Sequence, residues 1–362
     1  MADDTLAAPA PAPAPASARS RGLEVARKND RSARLFILGL AILMVVLVCV
    51  SLMLGRYPIE PVDAFKMLIN KIIPLEQTWG AQAEVLFFNV RFPRILMALM
   101  VGACLAAAGA AFQGAFQNPL ASPDILGASQ GAALGAASAI LAGASAHVIS
   151  ATAFVFSMST IVLVFLLSSR AKGYRILVTV LAGVMVSSLF SSGVSFTKLV
   201  ADPTDQLPAI TYWLMGSLTS VRLHDVAIAA LPMALGCATL LLMRWRINVL
   251  TMGDDEAATM GVNARLIRVI VTLAATLITA TSVAVTGMIG WVGLVIPHLC
   301  RMAIGCDYRK LMPASMLMGA SFLLVVDNVS RLATTSEIPI GILTAFIGAP
   351  FFLYLIMRNK KL

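Results

Sequence analysis

Ser129 lies in the segment Gly127-Ala-Ser-Gln-Gly131, which has the G-x-S-x-G spacing of a nucleophile elbow. A serine hydrolase would need a histidine base beside this serine, and the chain offers three: His147, His224 and His298. The same glycines, with Gly135, also repeat every four residues, which places a strip without side chains on one helix face. No strand-forming run precedes the motif, and no acid is placed to orient a histidine. The spacing therefore favours close helix packing over catalysis.

The composition indicates an integral membrane protein. Of the 362 residues, 59% are hydrophobic and 12% are charged, and the mean hydropathy is +0.87. A soluble domain carries about a quarter charged residues. A transmembrane helix needs about 20 apolar residues, and such runs lie near 35–54, 93–113, 124–142, 148–168, 176–198, 224–243, 266–286, 289–304, 311–328 and 338–357. The sequence therefore predicts an all-helical polytopic membrane protein with about ten transmembrane helices.

Lys and Arg predict how these spans are oriented. With the N-terminus inside, most of the 27 basic residues fall on inner segments, so both termini are expected in the cytoplasm. The net charge of +9 is then explained by topology and by anionic membrane lipid, and not by nucleic acid. Residues 1–33 contain an Ala-Pro alternation from Ala8 to Ala16 and lack the apolar core of a signal peptide. They predict a disordered basic tail, followed by a membrane domain at residues 34–362.

The sequence lacks the residues with which the chain itself could drive transport, by hydrolysing ATP or by coupling to an ion gradient. It contains no G-x-x-x-x-G-K-[ST] phosphate loop, so it does not hydrolyse ATP by that route. An ion-coupled carrier, the alternative from another class, buries ionisable residues at mid-membrane depth. Lys198 and Asp327 are instead expected at span ends in contact with water, and Asp124 at the inner start of a span. The five cysteines form no C-x-x-C pair and are predicted to be small core residues rather than disulfides or metal ligands.

Four motifs follow one another along the chain. Asn118-Pro119 and Ser122-Pro123 interrupt an apolar run in QNPLASPDILG, because proline cannot donate to the helix ladder. Thr251 to Asn263, TMGDDEAATMGVN, places an acidic first turn between two glycines. Gly287 to Arg301, GMIGWVGLVIPHLCR, combines spaced glycines with a Pro-His pair, and Glu337, Pro339 and Gly341 form E-x-P-x-G.

Through these motifs the chain resembles the FecCD-type permeases of bacterial ABC importers, over roughly residues 35 to 358. The resemblance implies the cobalamin-type permease fold, in the inner membrane, as a homodimer or as a heterodimer with a paralogous permease. It implies two separate ATPase subunits, which bind ATP and Mg, and a periplasmic substrate-binding protein. The chain itself is then expected to be non-catalytic and to hold no cofactor. The implied cargo is an iron chelate (siderophore or haem), with cobalamin or a metal oxyanion as alternatives.

The resemblance also implies roles for individual residues. A cytoplasmic coupling helix would contact the ATPase through Gly253, Asp254, Asp255, Glu256, Ala257 and Gly261. Arginines at the outer mouth would pair with glutamates of the binding protein: Arg91, Arg94 and Arg331. Structural or gating roles would fall to Asn118, Pro119, Pro123, Gly127, Gly131, Pro297 and His298. On residue chemistry alone, the loop is also explained as a solvated connector, the arginines as interfacial anchors, and His298 as a hydrogen-bonded structural residue.

Hydroxyl groups are concentrated on the fifth span and predict a conduit. They belong to Ser187, Ser188, Ser191, Ser192, Ser195 and Thr197. Hydroxyls offer weak hydrogen bonds without tight binding, which suits a path that must release what it passes. The sequence therefore predicts that this span lines the translocation path.

Overall fold

The structure is a computed structural model that describes residues 16–55, 57, 59–71, 73–170 and 175–358, without the side chains of residues 16–29, 169, 175, 176, 355, 356 and 358. The described part folds into helices joined by turns and loops, and it contains no strand. Its α-helices are α1 (Ala16–Met53), α2 (Pro61–Asn70), α3 (Ala81–Leu86), α4 (Phe92–Ala115), α5 (Ala128–Leu141), α6 (Ala146–Arg170), α7 (Arg175–Val200), α8 (Gln206–Met215), α9 (Leu223–Leu250), α10 (Asp254–Thr259), α11 (Ala264–Thr286), α12 (Val292–Ile304), α13 (Tyr308–Leu332) and α14 (Ile340–Arg358).

Each of the ten predicted spans corresponds to a helix, which confirms the all-helical membrane fold. Within the described residues, seven helices are long and apolar enough to cross a membrane. The other three, α5, α12 and α14, are shorter apolar helices. At about 1.5 Å per residue, the 14 residues of α5 and the 13 of α12 extend only about 20 Å. Neither can cross a hydrocarbon core of about 30 Å alone.

Backbone breaks explain why α5 and α12 are short. Before α5, the chain forms a 3-10 turn at Pro123–Leu126 and then enters the left-handed region at Gly127, with φ +85°. Before α12, Gly287 (φ +71°) and Trp291 (φ +71°) also have positive φ. Polar backbone groups in a membrane must be satisfied or buried in protein. The 3-10 turn packs chiefly against α7, and Gly287 lies against the backbone of Trp213 and Gly216 at the end of α8, so both irregular segments are packed against protein.

Helix α4 is the centre of the bundle and is buried along most of its length. Its small residues allow two neighbours to approach it backbone to backbone. A Cβ added at Gly102 would collide with the Gly319 carbonyl of α13, and one added at Gly109 would collide with the Gly293 backbone of α12. Without a hydrophobic force between helices in lipid, such close packing is a main source of cohesion.

Helical structure extends beyond the ten predicted spans. The disordered tail predicted at residues 1–33 stays a prediction: its residues 1–15 lie outside the described part, and from Ala16 onward the described backbone is helical as the start of α1. The last proline of the tail is Pro15, so nothing stops the helix of the first span from continuing towards the N-terminus. The helices α2 and α8 were not predicted, because ten residues give too short a pattern.

Candidate functional site

The acidic segment between α9 and α11 forms the short helix α10. Gly253 (φ +123°) and Gly261 (φ +74°) mark its two ends and take backbone conformations that other residues rarely adopt. Ala257 is fully buried against the bundle, whereas Asp255 and Glu256 are exposed. Met252 and Met260, one on each side of the helix, are 60% and 49% exposed. The exposed surface of α10 is therefore acidic and apolar, and its small residue Ala257 faces the bundle.

An ion pair braces α10 against the bundle. The Arg268 guanidinium of α11 contacts the Asp254 carboxylate at 2.7 Å and donates a second hydrogen bond, of 2.9 Å, to the Ala115 carbonyl at the end of α4. The hydrogen bond from Arg268 lowers the pKa of the Asp254 carboxyl below its ordinary value. A push on α10 would consequently reach α11 and the central helix α4 through one side chain.

The hydroxyl-rich span, α7, presents a mixed polar and apolar face. Ser188, Ser191, Ser192 and Ser195 are exposed there, among large apolar side chains. The Ser188 hydroxyl donates to the Val184 carbonyl at 2.9 Å, and Ser192 and Ser195 bond in the same way to carbonyls four residues earlier. The hydroxyls of Ser188, Ser192 and Ser195 thus already form hydrogen bonds within α7. The exposed face of α7 offers weak polar contacts, and the role of its four exposed serines in lining a path stays a prediction.

Two of the predicted path residues point inward instead. Thr197 is 5% exposed and donates to the Gly193 carbonyl at 2.9 Å. Ser187 is half-buried, and a Cβ added at Gly127 would lie 2.8 Å from its hydroxyl oxygen. These two residues thus lie on the side of α7 that faces the bundle, and their role in lining a path stays a prediction. Ser187 lies beside Gly127 at the start of α5, and Thr197 is turned away from the exposed face.

The three arginines that are predicted to dock a binding protein are buried within the described part of the chain. Arg91, Arg94 and Arg331 are only 5%, 4% and 7% exposed. Arg91 donates to the backbone carbonyls of Leu52, at 3.0 Å, and of Tyr57. An arginine carries five N–H donors in a planar fork, which lets it hold several carbonyls of an irregular segment together. Their docking role stays a prediction that this burial does not favour.

Arg94 and Arg331 form a buried charge cluster with residues of α13 and of the loop that follows it. Arg94 contacts Asp327 at 2.8 Å and holds both carboxylate oxygens of Glu337, at 2.9 and 3.0 Å. Arg331 donates to Ser51 of α1 and to Asn328. Asp327 is fully buried, so the expectation that it contacts water is also wrong. Arg94 and Asp327 lie 233 residues apart in sequence, and no local sequence pattern predicts that they pair.

The interrupted motif forms a compact turn that supports α5. The Asn118 side chain accepts a hydrogen bond from the Leu120 amide at 2.9 Å, and the Pro119 ring follows it. Pro123 opens the 3-10 turn that Gly127 closes. At Gly131, an added Cβ would collide with Thr160 of α6, so the glycine strip packs against that helix. The packing interpretation of G-x-S-x-G agrees with this geometry, since the Ser129 hydroxyl donates to Asp124 rather than to a histidine.

Pro297 and His298 lie inside α12. Pro297 is buried, and His298 is half-buried with its ring 6.3 Å from the rings of both Phe351 and Phe352 in α14. The pair thus joins α12 to the last helix, in keeping with a structural role. A gating role for these two residues stays a prediction.

Known proteins resemble the chain along nearly its whole length. A model of the FecCD transport family matches residues 43–358. The molybdate import permease MolB of Haemophilus influenzae is 40% identical over 89% of this chain and 95% of its own. The hemin permease HmuU of Yersinia pestis is 36% identical over 76% of this chain and 84% of its own. A solved structure described as an inward-facing metal-chelate type ABC transporter is 39% identical, covers 89% of this chain and 98% of its own, and superposes with a TM-score of 0.79. The chain therefore belongs to the FecCD transport family of ABC importer permeases.

Proposed function

We propose that the chain works in the inner membrane as a homodimer that passes a metal-containing solute along its two-fold axis, driven by two separate ATPase subunits. The observation that carries this proposal is the exposed helix α10, braced by Arg268 against α11 and α4. A helix that is exposed yet joined to the bundle by an ion pair and a buried alanine is suited to transmit a movement from a partner. ATP and Mg would be bound by that partner, which would shift the permease between outward-open and inward-open states.

The proposed cargo is an iron chelate, a siderophore or haem. The named relatives support a metal-containing cargo, because one is a hemin permease and others are iron chelatin permeases. A metal oxyanion is the second candidate, since the 40% identical relative from Haemophilus influenzae is a molybdate permease. A cobalamin permease of Halobacterium salinarum is 39% identical over 80% of this chain, which supports cobalamin as a third.

A periplasmic binding protein would deliver the cargo to the outer face. The buried arginines would act there indirectly, by fixing the segment around Glu337 on which such a protein could rest. The exposed serines of α7 support a conduit that binds weakly. In this scheme the binding protein, and not the permease, selects the cargo.

Uptake by cells with and without the gene tests both parts of the proposal. Radioactive iron chelates, haem, cobalamin and molybdate would each be offered at low concentration, with the wild-type chain and the Glu256→Lys variant supplied from a plasmid. Iron-chelate uptake restored only by the wild-type chain would support the proposal. Molybdate uptake alone would move the cargo to the second candidate. Uptake that persists without ATP under a proton gradient would instead indicate an ion-coupled carrier.

A further inference from the structure

A ribbon of positive charge crosses three helices at the inner end of the bundle. Lys310, in the first turn of α13, contacts Asp30 of α1 at 2.6 Å, and Arg34 contacts the same carboxylate at 2.7 Å. On the other side of α13, Arg244 of α9 donates to the Arg309 carbonyl at 3.3 Å. These contacts bring four cations from α1, α9 and α13 together, and we call them the inner basic ribbon: Arg34, Arg244, Arg309 and Lys310.

The ribbon keeps an excess of positive charge and an open surface. Two carboxylates lie within it, Asp30 between Lys310 and Arg34, and Asp307 against Arg309 at 2.9 Å. Two negative charges against four positive ones leave a net charge of about +2. Arg34 and Arg309 are 79% and 60% exposed, and Arg244 is exposed as well. Each guanidinium has five donors, so the bonds described above leave N–H groups for a further acceptor.

The position of the ribbon identifies its surroundings as the membrane surface. Arg34 immediately precedes the apolar run of α1, whose Leu35 and Leu38 are 58% and 55% exposed. Next to Arg244, Trp245 is 48% exposed and Leu242, one turn earlier, is 74% exposed. An exposed tryptophan between charged and apolar side chains is typical of the level of lipid headgroups. The surface is therefore basic where headgroups lie and apolar where acyl chains lie.

We propose that the inner basic ribbon binds the phosphate group of an anionic phospholipid in the cytoplasmic leaflet, whose acyl chains lie along α1 and α9. The three arginines of the ribbon favour a phosphate as the ligand, because a planar guanidinium can donate two parallel hydrogen bonds to one phosphate group. The bound lipid joins α1 to α9 across the start of α13. This inference does not depend on the cargo, because it concerns only the lipid-facing side of the chain.

Native mass spectrometry of the purified full-length chain tests the proposal. The protein would be equilibrated in mixed micelles with equal amounts of phosphatidylglycerol and phosphatidylcholine, and the lipids retained would be counted. We expect the wild-type chain to retain phosphatidylglycerol preferentially, and a variant with Arg34→Gln and Arg244→Gln to retain it roughly tenfold less well. Adding 1 M NaCl should abolish the preference, since charges at the surface are screened.

A matched variant, with Lys71→Gln and Lys198→Gln, removes two positive charges from the outer side. It should behave as the wild-type chain does, and all three proteins should elute as single species of equal size. Equal loss of phosphatidylglycerol from both variants would overturn the proposal, because general charge would then explain retention. Unchanged lipid retention with loss of the co-purifying ATPase from the inner variant would also overturn it, and would assign the ribbon to that protein.

Discussion

At the scale of single residues, the outer half of the bundle depends on the ion pairs of Arg94. This guanidinium is 4% exposed and lies between Asp327, on α13, and Glu337, in the loop before α14. Without Asp327, the buried guanidiniums of Arg94 and Arg331 would have only one carboxylate, Glu337, between them, and an uncompensated buried charge costs about 3–5 kcal/mol. We therefore expect Asp327→Ala to lower the free energy of unfolding by about that amount, read as an earlier thermal transition in detergent.

The Lys71–Glu84 pair offers a control for this experiment. Lys71 is 61% exposed in that pair, and an exposed ion pair contributes at most about 1 kcal/mol. Lys71→Gln, which removes the exposed partner, should consequently leave the thermal transition nearly unchanged. Equal effects of the two substitutions would show that the Arg94 cluster is not a buried determinant of stability.

Charge reversal at Arg331 distinguishes a structural from a docking role. Its guanidinium donates to Ser51 and Asn328 inside the bundle. We expect Arg331→Glu to reduce the amount of folded chain in the membrane severalfold, since a carboxylate there faces acceptors instead of donating to them. Normal folding with weaker binding-protein affinity, measured on reconstituted permease, would restore the docking role that burial argues against.

At the scale of elements, we predict that the glycine strip of α5 is a surface for close packing against α6. A Cβ at Gly131 collides with Thr160 and with the Phe156 backbone of α6, whereas a Cβ at Gly39 of α1 meets no atom within 4 Å. Overpacking of this kind costs about 1–3 kcal/mol. Gly131→Ala should therefore lower the thermal transition in detergent, and Gly39→Ala should not. If both variants were as stable as the wild-type chain, the strip would not be a packing surface.

The helix α10 makes a prediction about coupling. Glu256 is exposed on α10, and Asp254 is the residue that anchors the helix to Arg268. Glu256→Lys should keep the fold but separate ATP hydrolysis from uptake, because it changes the charge presented to the partner and not the anchor. The measurement is uptake per ATP hydrolysed in reconstituted vesicles. Normal uptake by the variant would mean that α10 is only a connector.

The elements also show which features sequence can predict. Hydropathy located every long span, because an apolar run of that length has few alternatives in a membrane. It could not give the rotation of α7, on which the inward direction of Ser187 and Thr197 depends. That rotation is set by packing against α5 and α6. The charge cluster of Arg94 was equally beyond prediction, because its partner is 233 residues away.

At the scale of the whole molecule, two exposed elements distinguish the chain from a self-sufficient carrier. The acidic helix α10 is open on the inner side, and α7 presents hydroxyl and apolar groups on its exposed face. Buried charges do occur, but the arginines Arg94 and Arg331 are balanced by the carboxylates Asp327 and Glu337 at the outer ends of α4 and α13. A permease that obtains energy and cargo from partners needs such exposed faces, and FecCD family members work with an ATPase and a binding protein.

The most direct test of this account is a mild-detergent purification of the tagged chain, with the intact mass of the recovered complex as the readout. We expect two copies of the chain together with two ATPase chains, and loss of the ATPase or of its coupling in the Glu256→Lys variant. The chain recovered alone, and still able to drive uptake into vesicles that lack ATP, would contradict it.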